Sequence, residues 1–415
     1  MYSSRFLAGA GSGSEKPLTP YNRTPMRWFT CTPVAFGGGP DFFARDSGLM
    51  CRGFQALGCE SHAVMPGERQ AGDEADLIRT DYINLESAEW WKSHQLDGVV
   101  LYAWGSPKYR KVAAALHEAG VFLVLNQDNG GLVSPLAGFC GWLEEQRIMA
   151  ANWPSFFKLV ARGLTIGLLA VDPLRAYHLK QGNLIACVSP AAAEHYRKLC
   201  RIYGGDELAK RVVFLPHPVE PEFNYNPSTI RKSRQVVCVG RWHDSLQKRP
   251  RLMQAVLRQL MENDGNVRVE IIGTCTPELL NWHRSLGNGM QDRAHLRGRL
   301  DREQLARVLQ DSQVFYSPSA YESFGIAAGE ALCCGCSVVA GRSVSMASFE
   351  WFISKDSGRL SDVYNVQAHL QKLQDELACW DHGQRDSDAI SKSWGKELHA
   401  DEVAARVIAL RNAST

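Results

Sequence analysis

The chain has 415 residues, and 46 Lys and Arg against 44 Asp and Glu leave a formal charge of +2. That near-neutral balance gives no polyelectrolyte argument for a nucleic-acid partner. With 45 % hydrophobic and 22 % charged residues, it also excludes collagen-like, mucin-like and wholly disordered chains. The length predicts two domains, or one large one, with ample core to bury.

Residues 1–24 are polar and rich in Gly and Ser, and read as a flexible tail without the apolar core of a signal peptide. A strand is expected over 28–34, followed by a glycine loop at Gly37, Gly38 and Gly39, a helix over 42–57 that Gly58 stops, and a strand over 61–65. The apolar run 96–104 reads as a buried parallel strand, with a helix over 109–119 and a strand over 121–125. A long helical region over 142–179 is expected to break near Pro154 and Pro173. Its longest apolar run, 164–171, falls well short of the roughly 20 residues that cross a bilayer. Trp142, Trp153, Phe156 and Phe157 are expected in the core or lining an acceptor pocket, with peripheral membrane contact the less favoured reading. A strand over 183–188, a helix over 190–203 and a strand over 211–215 complete the first series.

The proline-containing stretch 219–234 reads as a linker between a domain at 25–218 and a second at 235–385, with 386–415 as a C-terminal helical segment. The second series alternates strands over 235–240, 267–273, 294–296, 314–317 and 337–340 with helices over 250–263, 279–286, 301–311 and 324–334. Helices over 366–380 and 396–411 follow. Short strands alternating with helices of 10 to 15 residues predict two parallel sheets, an α/β architecture with a ligand cleft at their carboxyl edges. Twelve cysteines without a C-x-x-C pair read as buried thiols of a reducing compartment, so a cytoplasmic location is expected. Cys333, Cys334 and Cys336 lack metal-ligand spacing.

Two segments carry chemistry. In 317–332 a strand ends in a polar loop bearing Glu322, and a helix opens near Phe324, Gly325 and Ile326. The free N–H groups at such a helix start form an anion site, and Gly325 permits close approach. Glu330 falls two turns into a small, apolar helix, where a carboxylate needs partners; ribose hydroxyls would serve. A helix-start carboxylate with a solvated Glu330 fits the same residues. Gly240, Arg241 and Lys248 follow the first strand of the second series. They place two cations at the same sheet edge, with no evident internal carboxylate to neutralise them. Taken alone, this run also fits a solvated basic turn.

The pattern from Ser317 to Gly335, with Glu322 and Glu330 as E-x7-E, resembles the signature of retaining glycosyltransferases of family 4, which have the GT-B fold of two Rossmann-like domains facing across a cleft. Gly240 to Lys248 is similar to that family's phosphate-binding run. The strand end at Gly273 and the nucleobase loop at Arg299 and Leu300 also resemble family segments, as does the glycine loop at Gly38 and Gly39. The resemblance implies transfer of a sugar from a nucleotide-diphosphate donor to an acceptor hydroxyl on a small molecule, glycan or lipid, without metal or cofactor. Arg241 and Lys248 would stabilise the departing diphosphate, Glu322 would hold sugar hydroxyls and Glu330 the ribose. The family histidine facing the donor sugar is missing from 124–131, where Asp128 or Asn126 would substitute. His217 and Pro218 replace the usual Asn-Gly before the linker, a change expected to affect hinge geometry rather than chemistry. Another GT-B enzyme, such as a phosphorylase or epimerase, and a non-catalytic binding protein are the alternatives.

Overall fold

The computed structural model describes residues 25–229, 231 and 233–414, so the expected tail 1–24 lies outside the described residues. Val99, Val100 and Leu101 are fully buried, as are Val338, Val339 and Ala340. Strands this apolar on both faces need helices on both sides, which is the condition for an all-parallel sheet.

Two such sheets form. The first contains β1 (Trp28–Cys31), β2 (Ala63–Pro66), β3 (Leu77–Thr80), β4 (Gly98–Tyr102), β5 (Phe122–Gln127), β6 (Leu184–Cys187) and β7 (Val212–Phe214). The second contains β8 (Gln235–Gly240), β9 (Arg268–Gly273), β10 (Ala294–Gly298), β11 (Val314–Ser317), β12 (Ser337–Gly341) and β13 (Gly358–Ser361). The strand orders are β3-β2-β1-β4-β5-β6-β7 and β10-β9-β8-β11-β12-β13. All pairings are parallel. Both orders reverse direction once, between β1 and β4 and between β8 and β11. A crevice opens at the carboxyl ends of the strands at such a reversal. The two Rossmann-like domains face each other across this cleft, and the architecture is a GT-B fold.

Several elements differ from expectation. The strand β3 was not anticipated; its Arg79 holds the glycine loop by donating to the Phe36 carbonyl at 2.7 Å while its guanidinium pairs with Asp73 at 2.6 Å. The expected helix over 42–57 is two helices, Pro40–Phe43 and Asp46–Ala56, because Asp46, at the start of the second, takes a left-handed φ of 50°. Pro173 does not interrupt its helix. Residues Trp153–Lys180 form one continuous helix whose middle, Gly163–Val171, is wound into wider π turns. These wider turns leave room for the proline ring just beyond them. The run 164–171 is as short as expected, but it lies in a helix that is long and apolar enough, by length and composition, to cross a membrane.

The chain passes between the domains twice, side by side. Val219 accepts from the Ala400 N–H at 3.0 Å and donates to the Leu398 carbonyl at 2.7 Å. The last helix, Ala400–Ser414, then packs on Asp46–Ala56 of the first domain. Val403, Ala404 and Val407 join Trp28, Met50 and Phe54 in one buried cluster there. Gly53 makes that approach possible, since a Cβ there would lie 2.2 Å from the Ala400 carbonyl oxygen. All twelve cysteines are free thiols, ten of them buried.

Candidate functional site at the interdomain cleft

Because both sheets are parallel, their strand ends converge on the cleft. Gly240, Gly273 and the loop holding Arg299 and Leu300 follow β8, β9 and β10 at one edge of the second sheet. Gly240 and Gly273 are register partners, and a Cβ on Gly273 would lie 1.9 Å from the Gly240 carbonyl oxygen. Their role here is to let two strand ends meet over the buried Trp242 ring, whose Nε1 donates to the Ile272 carbonyl at 3.0 Å.

A cavity of about 260 Å³ sits at the β8/β11 reversal. Arg241, Lys248, Glu322, Phe324, Gly325 and Ile326 line its floor, while Asp128, His217 and Arg45 close it from the first domain. The helix Ile326–Cys333 opens into it, with Gly325 left-handed at φ 82°. A Cβ at Gly325 would lie 2.6 Å from the buried Phe349 ring. Gly325→Ala is expected to cost about 1–2 kcal/mol from the backbone alone and more from the ring. Urea titration checks the loss.

Two expectations about charge are corrected. Lys248 is not without an internal carboxylate: its Nζ pairs with Glu322, whose Oε1 also accepts from Ser319 Oγ at 2.8 Å and whose Oε2 accepts from Gln247 Nε2 at 3.2 Å. The loop before the helix places Glu322 over the lysine, a contact 74 residues apart in sequence. Arg241 is more open. Its guanidinium donates to Gln247 Oε1 at 3.0 Å, with Asp244 at 4.0 Å, and it remains mostly exposed. Glu330 is buried, but its partner is protein. Arg302 Nη2 donates to its Oε1 at 2.7 Å, and Arg302 also pairs with Glu220 from the chain crossing. Glu330 is not among the residues lining the cavity.

Gly38 and Gly39 are placed apart from this cavity. Gly38 is pinned beside Asp73 and Leu77, and its carbonyl accepts from the Glu74 N–H at 2.9 Å. It is Gly37, not these two, that lines a separate first-domain cavity of about 310 Å³ with Arg45, Asp46 and Trp104. Asn126 lies buried within β5, whereas Asp128, two residues on, reaches the cleft.

The residue missed in the sequence is His217. It is fully buried, its Nε2 lies 3.0 Å from Asp128 Oδ1, and its Nδ1 lies 3.8 Å from Asp46 Oδ1. Burial disfavours the imidazolium, but the Asp128 and Asp46 charges outweigh it and raise the His217 pKa. Burial likewise opposes the Asp128 carboxylate, and the His217 charge outweighs it and lowers the Asp128 pKa. The histidine ring packs edge-on against Phe324 across the cleft at 5.4 Å. It places an imidazole between two carboxylates at the cleft, where the 124–131 segment lacks a histidine. The signal lay in a basic residue at a strand end of the parallel edge.

A second, larger cavity of about 580 Å³ adjoins the first at Asp128, Glu322 and Ser323. Leu132, Trp142, Leu159 and Val171 give it apolar walls, and Glu145 and Arg162 add polar groups. Trp142 is buried as expected, but Trp153 and Phe157 are exposed rather than core or lining, because their helix projects them away from the body. Burial pushes the Glu145 carboxyl from 4.5 up to about 7. Between those values the folded chain holds a proton that the unfolded chain releases, so stability falls as pH rises through this range. Glu145→Gln is expected to raise unfolding free energy by about 3 kcal/mol near pH 8 and to change it little near pH 4. Denaturant titrations at the two pH values check the difference.

Residues 233–377 match the family described as glycosyl transferases group 1. No curated protein sequence matches the chain. Among solved structures, the chain is similar to HepE of Anabaena in complex with UDP and glucose, at 13 % identity and a TM-score of 0.59 over 94 % of this chain and 100 % of that one. It is also similar to the lipopolysaccharide outer core galactosyltransferase WaaB, at 12 % identity and a TM-score of 0.62 over 94 % and 100 %. A third is the sucrose-phosphate synthase of Thermosynechococcus elongatus, at 15 % identity and a TM-score of 0.56 over 93 % and 98 %. At these identities the likeness is one of fold.

Proposed function

We propose that this protein is a retaining glycosyltransferase that moves a sugar from a nucleotide-diphosphate donor to an acceptor hydroxyl. The observation that carries the reading is the cavity of about 260 Å³ at the sheet reversal, lined together by Arg241, Lys248 and the start of helix Ile326–Cys333. The matched family segment and the UDP-bound relative of the same fold support a nucleotide donor.

The bond between the anomeric carbon and the diphosphate oxygen breaks, and the acceptor oxygen bonds to that carbon on the same face. The acceptor proton passes to the departing diphosphate. Charge grows on the diphosphate as the bond opens, and the two cations and the helix N–H groups meet it there. Glu322, now paired with Lys248, exchanges part of that contact for sugar hydroxyls as Lys248 turns to phosphate. Glu330, held by Arg302 outside the cavity, braces the helix whose start meets the diphosphate. Asp128 and His217 face the sugar from the first domain. The larger cavity takes the acceptor. Protein groups supply the positive charge, so turnover is expected to persist in a chelator.

A panel of UDP- and GDP-linked sugars, scored for thermal stabilisation and nucleotide release, tests the proposal. Stabilisation by one donor that Lys248→Ala removes, with sugar transfer once an acceptor is supplied, is the expected result. Binding of free phosphate or simple sugars without any nucleotide sugar would instead favour a phosphorylase or a binding protein.

A further inference from the structure

The helix Trp153–Lys180 leaves an apolar face uncovered beside the larger cavity. Trp153 is 57 % exposed, Phe157 63 %, Ile166 57 % and Leu169 81 %, with Leu164 and Leu174 each at 41 %. In sequence Trp153, Phe157, Leu164, Leu169 and Leu174 follow at four, seven, five and five residues. Four and seven return to one face of an α-helix, and the wider π turns of Gly163–Val171 stretch the return toward five. These five keep to the solvent side of the helix, and the exposed Ile166, two residues from Leu164, broadens the apolar face there.

The charge along this helix is mostly of one sign, although the exposed Glu144 stands on the preceding helix beside Arg147. From Gln146 to Lys180 there are five Lys and Arg and a single carboxylate, Asp172. Asp172 is buried and paired with Arg175, so it does not offset the exposed Arg147, Lys158, Arg162 and Lys180. Arg147 lies over the Trp153 ring at 4.5 Å, joining the cationic and aromatic groups at the helix start. An exposed apolar stripe with aromatic residues at one end and flanking cations fits an anionic lipid surface. A soluble partner protein would not require this excess of one charge.

We propose that this helix docks the protein on an anionic bilayer, lying in the plane of the interface. It does not cross. Its last turns are fastened to the first domain by the Asp172–Arg175 pair, by Ser134 donating to Asp172, and by the buried Ala176, His178 and Leu179. Crossing would also carry Lys158 and Arg162 into the hydrocarbon. Leu159, Arg162 and Val171 of the same helix line the larger cavity, so docking brings that cavity's mouth to the lipid. The inference stands on the surface itself and does not depend on the glycosyltransferase reading.

Flotation of the full chain with vesicles of phosphatidylcholine, alone or mixed with phosphatidylglycerol, tests it. The chain is expected to float with the mixed vesicles and much less with phosphatidylcholine alone, and to be released by salt. Combined Trp153→Ser, Phe157→Ser and Leu169→Ser substitutions should weaken binding about tenfold or more. Lys158→Glu should weaken it separately, and melting curves matching the parent exclude misfolding in either case. No binding to mixed vesicles, or binding that these variants leave unchanged, would overturn the proposal. So would association that resists alkaline carbonate, which marks a spanning helix. A dimer in lipid-free solution that the triple variant abolishes would assign the face to a second copy and overturn it as well.

Discussion

Lys248→Ala is expected to lower turnover with the cognate donor about 10²–10³-fold, the range seen when one preorganised group is removed from developing negative charge. The effect should fall mainly on kcat, because the lysine's benefit grows as the glycosidic bond opens. Lys248 is the more constrained of the two cations. Its side chain is 15 % exposed, against 65 % for Arg241, so it meets the diphosphate with less screening and less freedom. Arg241→Ala should therefore show the smaller loss. Among the described residues, removing Lys248 leaves Glu322 with the neutral donors Ser319 and Gln247. Donor titration calorimetry beside steady-state rates separates the two consequences. A raised KM with unchanged kcat would place Lys248 in ground-state binding alone.

His217→Asn, which installs the residue the resemblance leads one to expect, is predicted to destabilise the protein by about 3–5 kcal/mol near pH 6. The imidazole stands between Asp128 and Asp46, and an amide carries no charge to offset them. The pH dependence follows from the two shifts. The raised His217 pKa gives a stabilisation fully present below the ordinary histidine value, lost as pH rises through the higher folded value. The lowered Asp128 pKa gives one present above the ordinary carboxylate value, lost as pH falls through the lower folded value. The native chain gains from the pair between these limits. In the variant the two carboxylates face each other without a cation, and protonation relieves them. The deficit should therefore shrink near pH 4. Urea titrations across pH measure it; a deficit independent of pH would mean that His217 matters for shape only.

Much of the fold follows from pattern. The strands β8 and β11 and the helix Pro250–Asn263 coincide with the runs read from apolar stretches, proline and terminal signals, since buried parallel strands are nearly continuous hydrophobic runs. The strands β3 and β13 were less visible. Each has half-exposed residues and charged side chains, as edge strands do, so neither stands out from the surrounding loops.

By itself the sequence determined that two parallel α/β series exist and that Arg241, Lys248, Glu322 and the helix start at Gly325 stand at strand ends of the second. A parallel sheet puts every strand's end on one edge, so local order is enough to place them together. Only the tertiary structure decided what those groups touch. Lys248 meets Glu322 across 74 residues, Arg302 answers Glu330, and His217 comes to Asp128 from a different strand. Such contacts depend on where loops lie after packing, and no local periodicity encodes them. The same holds for the helix Trp153–Lys180. Its apolar residues are evident in the chain, but whether they are buried or left facing solvent is settled only once the rest of the molecule has packed around them.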